Sequence, residues 1–132
     1  MSTESVLGHH LDSVAAGDVD ALMQDFTEES VIFTPEGPLR GLEAIRGIMT
    51  SLVTEMLPPG SDFNMINQSI EGEVGYIAWS GSSEKFDFPI GTDTFIGKND
   101  KIGELVADGP WCFDRLFRPV VPLINVDVSA AD

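Results

Sequence analysis

The chain is poor in positive charge, in sulfur and in long apolar runs, and each shortage removes a class of function. Seven Lys and Arg stand against 22 Asp and Glu among 132 residues, a formal net charge of −15. A surface of that sign repels phosphate backbones and anionic lipid, so neither nucleic acid nor a membrane is expected as a partner. No stretch approaches the ~18 consecutive apolar residues of a membrane span. The opening MSTESVLGHH has no basic segment followed by an apolar one, and the expected compartment is the cytoplasm. Cys112 is the only cysteine; it cannot close a disulfide within the chain and has no Cys or His at zinc-ligand spacing. Its surroundings in sequence, GPWCFDRLF, are aromatic, which suits an inert core thiol better than a nucleophile.

What is present suits one soluble domain spanning residues 1–132. Apolar residues make up 42% and charged residues 22%, enough for a real core at this length. No repeat, low-complexity tract or linker divides the chain.

Helical grammar fills the first half. Leu7, Leu11 and Val14 share one face, and Gly17 stands where a left-handed cap ends a helix over about residues 3–16. Asp18 is an N-cap for a second helix carrying Val19, Leu22, Met23 and Phe26, expected to end near Glu28. SVIFTP is a strand closed by the turn-forming EGP, and a third helix runs from Gly41 to about Leu57, where Pro58 and Pro59 stop it. From residue 62 the apolar period changes to two. FNMINQSIEG and GYIAWSGSS form a hairpin; KFDFPIGTDTFIG is a long strand bulged at Pro89 and Gly91; KNDK turns into IGELVAD. Trp111, Phe113, Leu116 and Phe117 call for burial, and a closing strand is expected near residues 120–128.

The expected fold class is therefore α+β, with three N-terminal helices packed on a strongly curved, mixed, mainly antiparallel sheet. Such a sheet makes a cystatin-like half-barrel cone enclosing a pocket.

Two stretches carry a family resemblance. HLDSVAAGDVDALMQDFTEESVIFTPEGPLRGLEAIRGI, residues 10–48, resembles the SnoaL-like polyketide cyclase and ketosteroid isomerase branch of the nuclear transport factor 2-like superfamily. Its specific parts are the AAGD turn, the acids before the first strand and the PLRG lead into helix three. GTDTFIGKNDKI, residues 91–102, resembles the family's D-x-F strand, turn and lysine-led strand. In that family the lysine-led strand runs on as one long alternating strand; DGPWCFDRLFRP is expected to interrupt it here.

The resemblance implies site positions. His10 falls where ketosteroid isomerases place a tyrosine that binds a developing oxyanion, and Asp93 where they place a protonated aspartic acid that donates to the same oxygen. Thr34 stands in the place of their general-base aspartate, and a threonine cannot take a proton from carbon near neutral pH. Steroid isomerisation by the usual route is not expected. His10 and Asp93 are instead candidates for an acid/base or oxyanion-binding pair, in which a neighbouring carboxylate would raise the imidazole above its ordinary ~6.5. Thr34 would hydrogen-bond the ligand, and Phe63, Trp79 and Phe95, with Met65, Phe86 and Phe88, would line an apolar chamber.

Plainer readings exist for each residue. His10 lies on the Leu7, Leu11, Val14 side of its helix, where a lone histidine is often a core residue, and Asp93 can lie on either sheet face. Glu36 sits in turn composition and is expected in solvent, and Arg40 is expected in a surface ion pair. His9 is turned about 100° from His10 on the helix, so the two should not share a metal. Limonene epoxide hydrolases bridge two aspartates with an arginine, which Gly91 before Asp93 does not supply. The expected function is binding of a small hydrophobic carbonyl or polycyclic compound, with proton transfer of isomerase, cyclase or dehydratase type. No cofactor and no metal are called for. The alternative is a non-catalytic ligand-binding or dimerisation module, and a homodimer through the outer sheet face is expected because FDFPIGTDTFI is apolar on both sides.

Overall fold

Ser2 starts the fold by accepting a hydrogen bond from the Ser5 N–H, which caps α1 (Thr3–Ala16). In this computed structural model the described residues are 2–34, 37–114 and 119–120, with side chains described through residue 107. Gly17 ends α1 in the left-handed region at φ 68°, and Asp18 accepts from the Ala21 N–H to begin α2 (Val19–Met23). Both boundaries follow the sequence expectation. Helix α2 is shorter than expected, because residues 24–30 leave the helix through i to i+3 turns while Ser30 Oγ accepts from the Thr27 N–H and donates to Ile102 O.

Strand β1 (Val31–Thr34) follows, and the EGPLR stretch contains a second strand that the turn signals hid, β2 (Gly37–Arg40). Its Pro38 is tolerated because β2 is an edge strand. Helix α3 (Leu42–Ser51) continues as a π-helical turn, Leu52–Met56, which keeps Val53 and Met56 buried up to the prolines. Then come β3 (Asp62–Glu71), β4 (Val74–Ser82), β5 (Phe86–Lys98), β6 (Lys101–Asp114) and β7 (Pro119–Val120).

These strands form one sheet in the order β2-β1-β6-β5-β4-β3, with β7 against β6. Among the described strands only the β1–β6 pair is parallel. Register shifts at Met65/Asn67, Trp79/Gly81, Asp87/Ile90, Ile90/Thr92 and Ile96/Gly97 bend the sheet, which stays open. The expected bulge around Pro89 and Gly91 is among them. The expected interruption of the last long strand is corrected: β6 runs through Gly109 and Pro110 to Asp114. Pro110, which has no N–H, falls in the irregular stretch between the Thr92–Asp108 and Ile90–Trp111 pairs, so the ladder loses little. The side chains of Trp111, Cys112 and Phe113, together with Pro35, Glu36, Leu116, Phe117 and the strand expected at 120–128 beyond Val120, lie outside the described residues.

The three helices cover one face of this sheet. Leu7, Leu22 and Ile45 from the helices meet Ile32, Ile77, Phe88, Phe95, Ile102 and Leu105 from the strands, all nearly inaccessible to water. Among the described residues no helix is long and apolar enough to cross a membrane.

Gly17 ties two parts of the helical layer together. A Cβ at this position would fall 2.7 Å from Pro59 Cγ, in a backbone conformation that already disfavours side chains. Gly17→Ala is expected to lower unfolding stability by about 1–2 kcal/mol from the backbone conformation alone, measured as a reduced urea midpoint with unchanged slope.

Candidate active site on the concave face

Strand pairing decides which side chains point under the helices. Ile77 and Trp79 on β4 are buried, and Asp93 on β5 pairs directly with Ile77, so it shares their face, as does Phe95 two residues on. The side of the sheet on which Asp93 lies, open in the sequence, is the concave one.

His10 reaches that face from α1. Its ring is buried with 5% of its surface exposed, and it meets Phe26 and Phe95 edge-on, with ring centroids 6.0 and 5.2 Å away. Its Nδ1 has no hydrogen-bond partner. Burial, reinforced by the neighbouring His9, pushes the imidazole down to about 4. This reverses the rise expected from a carboxylate neighbour: among the described residues no hydrogen bond or ion pair joins His10 to Asp93, and His10 is neutral at neutral pH.

Asp93 responds in the opposite sense. Burial raises its carboxyl to about 6, against the lowering effect of its hydrogen bond with Trp79, whose Nε1 donates to Oδ2 at 3.0 Å. Its side chain therefore titrates in the range where a carboxylate is a useful base, and at pH 7 it is ionised. The resemblance implied a protonated donor at this position; the carboxyl here accepts.

The remaining predicted residues divide. Trp79 is buried between Phe63, stacked at 5.5 Å, and Phe88 at 5.4 Å, while Phe95 packs under His10. Phe63 is 45% exposed, so the aromatic row runs from the interior out to the rim. There it lines an apolar cleft of about 140 Å³ with Leu11, Val14, Leu57 and Pro59. Met65 is exposed, Phe88 buried and Phe86 half-buried. Thr34 follows the buried Ile32 on the same face of β1, but its hydroxyl donates to Gly37 O at 2.7 Å and holds the β1–β2 connection. Arg40 donates to the backbone of Glu29 at the surface.

Sequence reasoning missed His9. Its Nδ1 lies 2.8 Å from both carboxylate oxygens of Asp25, which is 7% exposed and whose backbone oxygen accepts from the Ile102 N–H. Desolvation raises the Asp25 carboxyl, opposed by His9 and by the nearby Lys101. A signal was available: an acid embedded in the apolar run Leu22, Met23, Phe26, in a chain with few cations, needs one of them. The ~100° between adjacent helix positions sends His9 to Asp25 and His10 to Phe95. Among the described residues no three His, Cys, Asp or Glu side chains gather as a metal site would require.

Comparison with known proteins adds a family and a set of folds. Residues 7–109 match the family model described as a SnoaL-like domain. No curated protein matches the chain. Among solved structures, a candidate polyketide cyclase from Sinorhizobium meliloti is 18% identical, with a TM-score of 0.65 over 79% of this chain and 94% of that one. The epoxide hydrolase/cyclase-like enzyme SalBIII, linked to pyran ring formation in salinomycin, is 19% identical, with a TM-score of 0.68 over 80% and 88%. A steroid delta-isomerase from Pseudomonas aeruginosa is 18% identical, with a TM-score of 0.67 over 92% and 82%. At such identities the likeness is one of fold.

The His9–Asp25 pair fixes how α1 sits on the segment after α2. His9→Ala strands a largely buried carboxylate and is expected to cost about 1–3 kcal/mol. Asp25→Asn should cost less, and the double variant less than the sum of the two. Urea unfolding of all three at pH 7 measures this, and an unchanged midpoint for His9→Ala would show the pair contributes nothing.

Proposed function

The chain belongs to the SnoaL-like domain family, and on that premise we propose that it binds a small hydrophobic carbonyl or polycyclic compound and moves a proton on it without a cofactor. Asp93 is the base and His10 the neutral hydrogen-bonding partner of the substrate oxygen. The observation that carries this reading is the inward-facing carboxyl of Asp93, raised to about 6 with no cation beside it among the described residues, on the same face as a buried imidazole whose Nδ1 lacks a partner.

The chemistry follows from those two states. Asp93 takes a proton from the carbon next to the carbonyl, and the electron pair moves onto the oxygen. His10, uncharged, hydrogen-bonds that oxygen as negative charge develops on it. The proton then returns from Asp93 to another carbon; in a ring closure the enolate carbon instead adds to a second carbonyl carbon of the same substrate, whose π pair moves onto its oxygen, and Asp93 gives its proton to that alkoxide. Thr34 cannot act as the base, since its hydroxyl donates to Gly37 O; its oxygen remains an acceptor toward a ligand. Phe63, Trp79 and Phe95 give the apolar surface such a compound needs.

Hydrogen–deuterium exchange next to the carbonyl of 2-tetralone and related cyclic ketones, followed by NMR, tests this. The protein should accelerate exchange. Asp93→Asn should lose about 10²-fold or more, and His10→Ala about 10²-fold. The active form of Asp93 is the ionised one, so the rate should rise with pH through about 6 and level off, while His10, at about 4, stays neutral throughout. Equal exchange with and without the Asp93 carboxylate would overturn the assignment.

A dimer through the outer face of the sheet belongs to the same proposal. Phe33 and Val74 are exposed, and Tyr76, Ile96 and Val106 are half-buried, all on the side opposite Ile32 and Ile77 by strand register. Light scattering at micromolar concentration should give twice the chain mass, and Phe33→Asp with Val74→Asp should give a monomer.

A further inference from the structure

Gly91 has a role that strand geometry alone does not require. A Cβ there would stand 2.6 Å from Trp79 Cε2 and Cζ2 and 3.0 Å from Nε1. No other residue would let the indole lie flat on β5. Seated that way, Trp79 is pressed between Phe63 and Phe88, and its N–H is aimed along the strand at Asp93 Oδ2, 3.0 Å away. A tryptophan in this row needs none of that to line an apolar chamber.

We propose that Trp79 is a positioning residue: resting on the bare Cα of Gly91, its indole N–H holds Oδ2 of Asp93 as a carboxylate and leaves Oδ1 to meet the ligand. The inference deepens the reading of Asp93 as a base and rests on it for its functional meaning. Physically, a carboxyl buried with no donor is driven to its protonated form, as the resemblance implied for this position. One N–H fixed on one oxygen favours the ionised form. The partner is also directional, so the carboxylate cannot rotate freely, and the geometry of proton transfer is set before the ligand arrives. Trp79 thus converts a site for an acid into a site for a base.

Among the described residues, Trp79 is the one whose side chain donates a hydrogen bond to Asp93. Its cross-strand neighbours, Ile77 on β4 and Ala107 on β6, carry no charge. Among the described residues, the titratable group that the helices bury on this face is His10, which burial keeps neutral.

The test reads ionisation and not turnover, so its outcome is separate from that of the ketone exchange. In nitrogen-15-labelled protein, with the two indoles assigned by Trp111→Phe, the Trp79 indole N–H resonance should shift with pH about a midpoint near 6. That shift should vanish in Asp93→Asn. The carboxyl carbon of Asp93, followed directly, should titrate about half a pH unit or more higher in Trp79→Phe, and higher also in Gly91→Ala, which keeps the indole but pushes it off its seat. A residue that only fills space would leave that midpoint where it is. An indole resonance in the unaltered protein that ignores the Asp93 titration overturns the proposal, whether or not the variants fold; so does an unchanged Asp93 midpoint in a folded Trp79→Phe or Gly91→Ala.

Discussion

The helical layer buries His10 and half-buries Asp93 on the concave face of the sheet, and desolvation acts on the two groups with opposite sign because their charged forms differ. An imidazole loses a proton to become neutral; a carboxyl gains one. The same apolar cover therefore holds His10 uncharged, at about 4, and raises Asp93 to about 6. No ion pair between the two is needed to bring both into useful states at neutral pH. A direct His–Asp contact would have worked against that, making a cationic imidazole and an inert carboxylate.

That kind of contact exists one residue away. His9 engages Asp25 at 2.8 Å on the flank of the same helix, and there the pair acts structurally. It joins α1 to the segment whose backbone accepts from Ile102 at the start of β6. Adjacent histidines thus serve two ends, because a helix turns them onto different neighbours: a carboxylate for one, two aromatic edges for the other.

Much of the helical half was legible because its signals are local. Gly17 and Asp18 end or cap helices by hydrogen bonds and dihedral angles within a few residues of themselves. The sheet was less so. Phe88 and Asp93 are five apart, an odd number that strict alternation would put on opposite faces, yet both point inward. The register shifts around Ile90 absorb the odd residue. Strand β2 and the continuation of β6 through Pro110 were hidden for a related reason: prolines there are tolerated by an edge and by a bulge, and both are properties of the assembled sheet. The apolar character of Trp79 was readable, but its bond to Asp93 was not, since it depends on a glycine two residues from the carboxylate meeting an indole on the neighbouring strand.

Thr34, which the resemblance puts where ketosteroid isomerases carry their base, is the residue around which the proposed site is arranged. With its hydroxyl donated to Gly37 O, the first strand contributes geometry to the β1–β2 connection and no proton acceptor to the cone. A SnoaL-like site lacking a base on that strand must find one elsewhere or remain a binding site. The carboxyl already facing the interior on β5 can serve only if something opposes its tendency to protonate when buried. An indole N–H does this without adding a charge: a lysine or arginine in its place would bind the carboxylate tightly, lower it into the ordinary range and lose the basicity that burial confers. On the proposed reading a neutral donor is the intermediate solution: the Trp79 N–H favours the carboxylate form of Asp93 without removing its ability to accept a proton.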